Sequence, residues 1–240
     1  AANLASAGTA LTTHFGVPLA SLERREGQWR AMSADGHLLA AAPVAILANG
    51  IGIRALPQAA GLPVVSARGQ VAHLPASVGS PPRVVVCRLG YVSPEVDGLR
   101  CAGATFQVDD DDPSLREADH RENLAKLDFI LPGYATTLSD AGLAGRVGFR
   151  PASPDRLPMV GAVPVQAHLE SPQALHPIDR HPGLYGISGF GARGLVWSSL
   201  MGELLASSLE GDPLPLERSL VAAMDPARYL LRPPPRVTED

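Results

Sequence analysis

Gly186-Ile187-Ser188-Gly189-Phe190-Gly191-Ala192-Arg193-Gly194-Leu195 is the stretch on which the reading of this chain turns. It follows a short apolar run, Leu184 to Ser188. It precedes a segment with Trp197, Leu200, Met201, Leu204, Leu205 and Leu209 on one helical face, which Gly211 closes as a C-cap. Gly189, Gly191 and Gly194 satisfy G-x-G-x-x-G between a strand and a helix, the pattern of a dinucleotide-binding turn. Such a turn opens a Rossmann fold only when further strand–helix units follow. Here one helix and a proline-rich tail remain, so the pattern does not open an NAD domain. Glu210 and Asp212 lie at about the right distance for a ribose carboxylate, but at a helix end rather than a strand end. The physics of the turn is independent of that label. Glycines admit a ligand close to the backbone, and a helix N-terminus offers free N–H groups and partial positive charge, which suits an anion or an atom that becomes one. Tight strand–helix packing without a ligand explains the same residues equally well.

Working outward, Val44-Ala45-Ile46-Leu47-Ala48 is apolar at every position and closed by Asn49-Gly50. A strand of that kind is expected in a parallel sheet, buried on both faces. Before it, short alternating stretches from Val17 to Leu39 are split by Glu26-Gly27 and Asp35-Gly36, which predicts an antiparallel meander. Leu4, Ala7, Leu11 and Phe15 have helical spacing over residues 3–15. Residues 62–107 read as strands at Val64–Leu74, Arg83–Arg88, Gly90–Pro94 and Leu99–Phe106, with a hairpin turn at Asp97-Gly98. Asp109 to Asp112 is expected to be a solvated loop. Ser114 with Glu117 forms a capping box for a helix running to about Leu131. Arg146–Arg150 predicts a strand entering a proline-rich loop. Residues 164–183 predict a surface excursion, and residues 232–240 a disordered tail. There is no internal repeat.

The chain has 240 residues, 45% hydrophobic and 18% charged, with a formal net charge of −4. That is the composition of a soluble globular protein with a real core, and its apolar runs are too short for a membrane span. Two cysteines, Cys87 and Cys101, are too few for a disulfide framework, and a cytoplasmic location with reduced thiols is expected. The seven histidines include no pair at helical ligand spacing, so no metal is expected. The negative balance excludes a chain that binds nucleic acid over its whole surface; any such contact must be a local patch. Arginines 68, 83, 88 and 100 could line such a patch, though a solvated face explains them as well. The first residue is Ala1 rather than methionine, and the chain is expected to be a fragment of something longer.

Three stretches together resemble the D-amino-acid oxidase and glycine oxidase superfamily of flavoproteins. They are Val44 to Gly50, then Gly148-Phe149-Arg150-Pro151-Ala152-Ser153-Pro154-Asp155-Arg156-Leu157-Pro158-Met159-Val160-Gly161, similar to an R-P-x-x-x-D-x-x-P-x-x-G segment, and Ser188 to Gly194. Within that superfamily, Ser66-Ala67-Arg68-Gly69-Gln70-Val71, Gly90-Tyr91-Val92-Ser93-Pro94, Gly103-Ala104-Thr105-Phe106 and Gly186 to Leu195 resemble the FAD-dependent domain of the bifunctional tRNA 5-methylaminomethyl-2-thiouridine biosynthesis proteins. The resemblance covers roughly Leu4 to Leu231. It implies an α/β fold in which an α+β lobe is inserted: a partial FAD-binding, Rossmann-like lobe from residues 1–57 and 145–231, and an antiparallel-sheet substrate lobe at 58–144. The family's strand with the FAD-pyrophosphate glycines, and its methyltransferase domain, are expected to lie outside this chain.

The resemblance also implies a chemistry: FAD-dependent removal of the carboxymethyl group from 5-carboxymethylaminomethyl-(2-thio)uridine at wobble position 34 of tRNA. Arg150 then matches the arginine that binds the substrate carboxylate, which a planar guanidinium can hold with two hydrogen bonds. A structural salt bridge to Asp155 is the alternative for it. Tyr91 is a pocket wall that could hydrogen-bond substrate, or a packing aromatic. Asn49, Gly50 and the turn Gly189, Phe190, Gly191, Ala192, Arg193, Gly194 and Leu195 are implied to hold the flavin, with Arg193 facing the cofactor, a phosphate or solvent. No general base or nucleophile is nominated. Two other functions remain open: an oxidase of glycine, sarcosine or a D-amino acid, and a cofactor-free fragment without activity.

Overall fold

The computed structural model describes residues 11–75, 79–80, 82–136, 138–139, 142–165, 174–175 and 178–231. Strands β1 (Ser21–Arg25), β2 (Gln28–Met32) and β3 (Leu38–Ala42) form the expected antiparallel meander. Its first turn works because Glu26 and Gly27 both take positive φ, +50° and +78°, the twist that a two-residue hairpin demands. The helix read at 3–15 lies mostly outside the described residues, and Leu11 to Phe15 are irregular, with Phe15 80% exposed.

Strand β4 (Ala45–Leu47) pairs in parallel with β12 (Arg180–Ser188), which pairs antiparallel with β11 (Met159–Pro164). One expectation fails here. Leu47 is buried, but Ile46 is 47% exposed, because β4 is the edge of this sheet among the described residues and only one of its faces is covered. Strand β12 also begins earlier than the apolar run suggested: Arg180 to Gly183 are strand, not surface excursion. Trp29 explains the extension by donating its indole N–H to the Pro182 carbonyl at 3.0 Å. The sheet is sandwiched. Leu22, Trp29, Ile53, Met159, Val163 and Leu184 form the core on one side. On the other, Val160 packs with Met201, Leu204, Leu205 and Met224 from helices α2 (Gly194–Glu210) and α3 (Arg218–Met224).

The second sheet is antiparallel throughout, in the order β10 (Gly145–Ala152), β5 (Val65–Leu74), β8 (Arg100–Gly103), β7 (Gly90–Val92), β6 (Val86–Arg88), with β9 (Gln107–Val108) beside β5. Helix α1 (Glu117–Ile130) packs on one face, where Leu74, Val92, Ala102 and Leu127 close a separate core. Successive strand residues point to opposite faces, so Arg68 and Gln70 face α1 while Ala67, Gly69, Val71 and His73 face away. The capping box does not form: α1 starts at Glu117, no side chain caps it, and the Ser114 carbonyl accepts a hydrogen bond from Arg68 instead. Nor are Asp110 and Asp112 merely solvated, since both carboxylates grip the Arg116 guanidinium just before the helix. Arg68 and Arg100 are fully buried and cannot form an RNA-facing surface; Arg88 stacks on Phe129, 4.5 Å from the ring centre.

Candidate functional site

The site is assembled where β10 runs out of one sheet and meets the glycine turn at the end of β12. Ala152 at the end of β10 bridges Phe190. Gly50, with φ of +61°, sits against Pro151, and its carbonyl accepts the Ser188 hydroxyl at 3.2 Å. Gly50 and the stretch just after Arg150 are thereby brought against the turn. A cavity of about 330 Å³ opens there, walled by Phe106, Ala152, Ser153 and Arg156 on one side and Gly189 to Arg193 on the other.

The glycines of the turn serve two purposes. Gly189 has φ of +77°, and a Cβ there would press on Met159 and Ser153 at 3.2 and 3.3 Å, so it is needed for packing. Gly191 also has positive φ, +54°, but a Cβ would meet nothing within 4 Å; it borders open space. The packing reading of the turn accounts for Gly189, and Gly191 has the space that the ligand reading requires. A short 3₁₀ turn, Gly191–Arg193, leads into α2, whose first turn has no side-chain cap, so its N–H groups are left for water or a ligand. Leu195 is 96% exposed, and any part it plays must come from its backbone. Arg193 and Ala192 are exposed at the mouth. An uncapped helix end beside an open glycine fits the edge of a flat, polar, electron-accepting ring.

Arg150 lies on the face of the second sheet that α1 does not cover. Its guanidinium crosses Gly69 so closely that a Cβ there would fall 1.9 Å from Nη1. A glycine inside a strand marks such a close approach, and Gly69 was legible on that ground although sequence reasoning gave it no role. The alternative partner is excluded: Asp155 is bound by Arg228 at 2.9 Å and by Tyr229 at 2.6 Å. Burial disfavours the Asp155 carboxylate, but the bonds from Arg228, Tyr229 and the Leu157 N–H outweigh it and hold its pKa well below the usual carboxylate range. For Arg150 the described residues offer only a long contact to the Thr105 carbonyl, 3.4 Å, and the Phe106 ring at 5.8 Å. Burial pushes its pKa down and the nearby Tyr91 pulls the other way.

Phe106, another residue missed, lines the turn cavity while its ring faces Arg150, so it joins the two halves of the site. Beyond it the uncovered sheet face forms a groove of about 570 Å³ that includes Tyr91, His73, Arg146 and Arg150. Tyr91 is half-buried there, and burial, then the Cys101 thiol, raise its pKa against the pull of Arg150. Among the described residues no three His, Cys, Asp or Glu side chains converge as a metal site would need. No helix among them is long and apolar enough to cross a membrane.

The chain is 64% identical, over all of its length, to the tRNA 5-methylaminomethyl-2-thiouridine biosynthesis bifunctional protein MnmC of Aromatoleum aromaticum, of which it covers 38%. The MnmC of an Azoarcus species is 63% identical over 97% of the chain, which covers 36% of it. The chain thus spans little more than a third of these curated relatives. Among solved structures, iminodiacetate oxidase from Chelativorans sp. BNC1 superposes with a TM-score of 0.62 at 27% identity, covering 82% of this chain and 50% of that one. Glycine oxidase from Geobacillus kaustophilus superposes with a TM-score of 0.66 at 20% identity, over 88% of this chain and 52% of the other, a likeness of fold. The family model of the FAD dependent oxidoreductases (DAO) matches residues 1–208, and this chain belongs to that family, with FAD as its cofactor.

Proposed function

We propose that this chain carries the oxidative half of a tRNA-modifying enzyme, removing the carboxymethyl group from 5-carboxymethylaminomethyl-(2-thio)uridine at the wobble position. The observation that carries the reading is Arg150: a half-buried guanidinium, seated on a glycine, beside the cofactor turn, with no carboxylate partner among the described residues. Burying a cation without an anion is costly, and the cost is offset if a substrate carboxylate completes the pair. The substrate group is an N-substituted glycine. Iminodiacetate, named in the similar solved oxidase, is one too. When bound, FAD supplies the two-electron acceptor.

The chain's own residues do the rest. Arg150 holds the carboxylate and so fixes the adjacent methylene carbon, which brings the bond to be oxidised into reach. Phe106, its ring centre 5.8 Å from the Arg150 guanidinium, lies between that cation and the turn cavity. Asn49, Gly50 and the turn from Gly189 through Phe190, Gly191, Ala192, Arg193 and Gly194 to Leu195 would hold the flavin, and the α2 N–H groups would stabilise negative charge that builds up on it. Tyr91 keeps its proton and can donate to substrate. We read residues 1–57 and 145–231 as the cofactor lobe and 58–144 as the substrate lobe, with β10 serving both. A methyltransferase domain in the same polypeptide, and work in the cytoplasm on tRNA, belong to the same proposal.

The similarity to iminodiacetate oxidase favours one second reading, a free amino-acid oxidase. The two separate in a single assay of the intact, FAD-loaded polypeptide. Glyoxylate release from tRNA bearing the modified uridine, with little from glycine, sarcosine or iminodiacetate, is expected. The reverse preference overturns the tRNA assignment in favour of the free amino acid.

A further inference from the structure

Arg146 is the second cation on the uncovered sheet face, and it has no role in the reading above. It lies four residues before Arg150 on β10 and points to the same side, because both alternate with Val147 and Phe149. The residue between them on that face is Gly148, directly opposite Gly69. The Arg150 guanidinium occupies the space over Gly69, whereas a Cβ at Gly148 would meet nothing within 4 Å. An open, flat floor therefore separates two arginines whose Cα atoms are about 13 Å apart along the strand. Arg146 is exposed, and no described side chain pairs with it by ion pair or hydrogen bond. Solvated arginines are common, but the groove's composition sets this one apart. Arg146, Arg150, His73 and Tyr91 line it, and no Asp or Glu among the described residues does. This holds in a chain with net charge −4. A groove with two cations and no acid attracts a ligand with two anionic groups.

We propose that Arg146 is a specificity residue that binds a backbone phosphate next to the nucleotide whose side chain Arg150 holds, the base lying over the Gly148 floor. The inference rests on the tRNA reading and goes past it, because it assigns the discrimination between a polynucleotide-borne substrate and a free amino acid to one side chain. Arg150 reads the amino acid in either case; Arg146 reads only what carries it. A phosphate contact at the groove edge supplies affinity that weakens with salt, whereas the half-buried Arg150 contact is screened much less.

The test uses the intact, FAD-loaded polypeptide and an unreactive probe, 5-carboxymethylthiomethyluridine, in which sulfur replaces the amine nitrogen. Binding is read from the perturbation of the flavin absorption band, which reports this cleft and no other. The nucleoside, its 3′,5′-bisphosphate and iminodiacetate are titrated into the parent and into Arg146→Gln. The bisphosphate is expected to bind the parent more tightly than the nucleoside. Arg146→Gln should weaken the bisphosphate on the order of ten-fold and lower its salt slope by about one, while the nucleoside shifts by less than about two-fold. Arg146→Lys, which keeps the charge, should recover most of the loss. Equal weakening of nucleoside and bisphosphate, or no change in either, overturns the assignment of Arg146 and leaves the tRNA reading standing. If iminodiacetate is the ligand that Arg146→Gln weakens most, the second anion is a carboxylate and the phosphate assignment is overturned. If neither uridine probe perturbs the flavin of the parent while iminodiacetate does, the tRNA reading itself falls.

Discussion

Two faces of one antiparallel sheet treat arginine in opposite ways. On the face that packs against α1, Arg68 is fully buried, and its donors meet Asp119 at 2.5 Å, Gln107 at 3.0 Å and the carbonyls of Asp112 and Ser114 at 2.7 and 2.5 Å. Arg100, on the same face, bonds the Tyr134 hydroxyl and the carbonyls of Pro75 and Gly79. On the far face Arg150 and Arg146 meet no carboxylate among the described residues. A paired arginine reports on folding, because its partners are supplied by the chain. An arginine seated in a groove without an anion leaves its charge free for a ligand. Residue type says nothing about which is which, and one step in strand register decides it.

The comparison breaks most visibly if stability does not follow the pairing. Arg68→Leu removes the guanidinium and strands Asp119 inside the sheet–helix core. Removing one partner of a buried pair costs on the order of 3–5 kcal/mol, so urea unfolding should show a loss of that size or no folded protein at all. Arg150→Met should do the opposite. It replaces a desolvated, unpaired cation with an apolar chain of similar length, so unfolding should stay within about 1 kcal/mol of the parent or rise slightly. Affinity for the substrate carboxylate should fall by roughly ten- to a hundred-fold, the worth of hydrogen bonds to a charged group. If Arg150→Met destabilises as Arg68→Leu does, the residue is structural and the carboxylate clamp is lost.

A smaller effect sharpens the point within the groove. Gly69→Ala puts a methyl group 1.9 Å from the present position of Arg150 Nη1, while Gly69 itself needs no left-handed backbone. The guanidinium must move, and substrate affinity should fall by roughly ten-fold with little loss of stability. Combined with Arg150→Met, the alanine should cost nothing further in affinity, because the group it displaces has gone. A double-mutant cycle measures this coupling. Additive losses would mean that Gly69 acts on the fold rather than through Arg150.

The sequence made one of these faces visible and hid the other for a physical reason. The meander was legible because Glu26-Gly27 and Asp35-Gly36 carry their own turn chemistry. Helix α2 was legible because a run of apolar residues at helical spacing ends at Gly211, which takes φ of +78° as a C-cap should. Arg150 was singled out through the motif around it. Strand β11 was not, since Met159–Pro164 interrupts its apolar run with Gly161 and ends on a proline. Nor were the first residues of β12, whose His181 and Pro182 disguise a strand that Trp29 anchors from elsewhere in the chain. Ser114 and Glu117 have the spacing of a capping box, yet Arg68 claims the Ser114 carbonyl, a tertiary contact overriding a local signal. Arg68 itself misled for the same reason: its neighbour Gly69 faces the groove, and only strand pairing tells which of the two looks outward.

The mildest expected effect tests whether the two faces are electrically separate. Tyr91 lies in the groove, and its pKa is raised above its ordinary value near 10 by burial and then by the Cys101 thiol, with Arg150 opposing the rise. A group whose folded pKa is raised contributes stability that is complete below its unfolded pKa. That stability is lost as pH climbs through the folded value, so it should drain away above about pH 10. Tyr91→Phe should abolish that part of the alkaline loss. Removing the opposing charge with Arg150→Met should push the Tyr91 titration, followed by tyrosinate absorbance, further upward. Arg88→Gln removes a charge that stacks on Phe129 of α1 and should leave the titration where it was. A shift in Arg88→Gln as large as that in Arg150→Met would mean that charge on the helix side reaches the groove through the sheet. The contrast between a folding face and a binding face would then be one of packing alone.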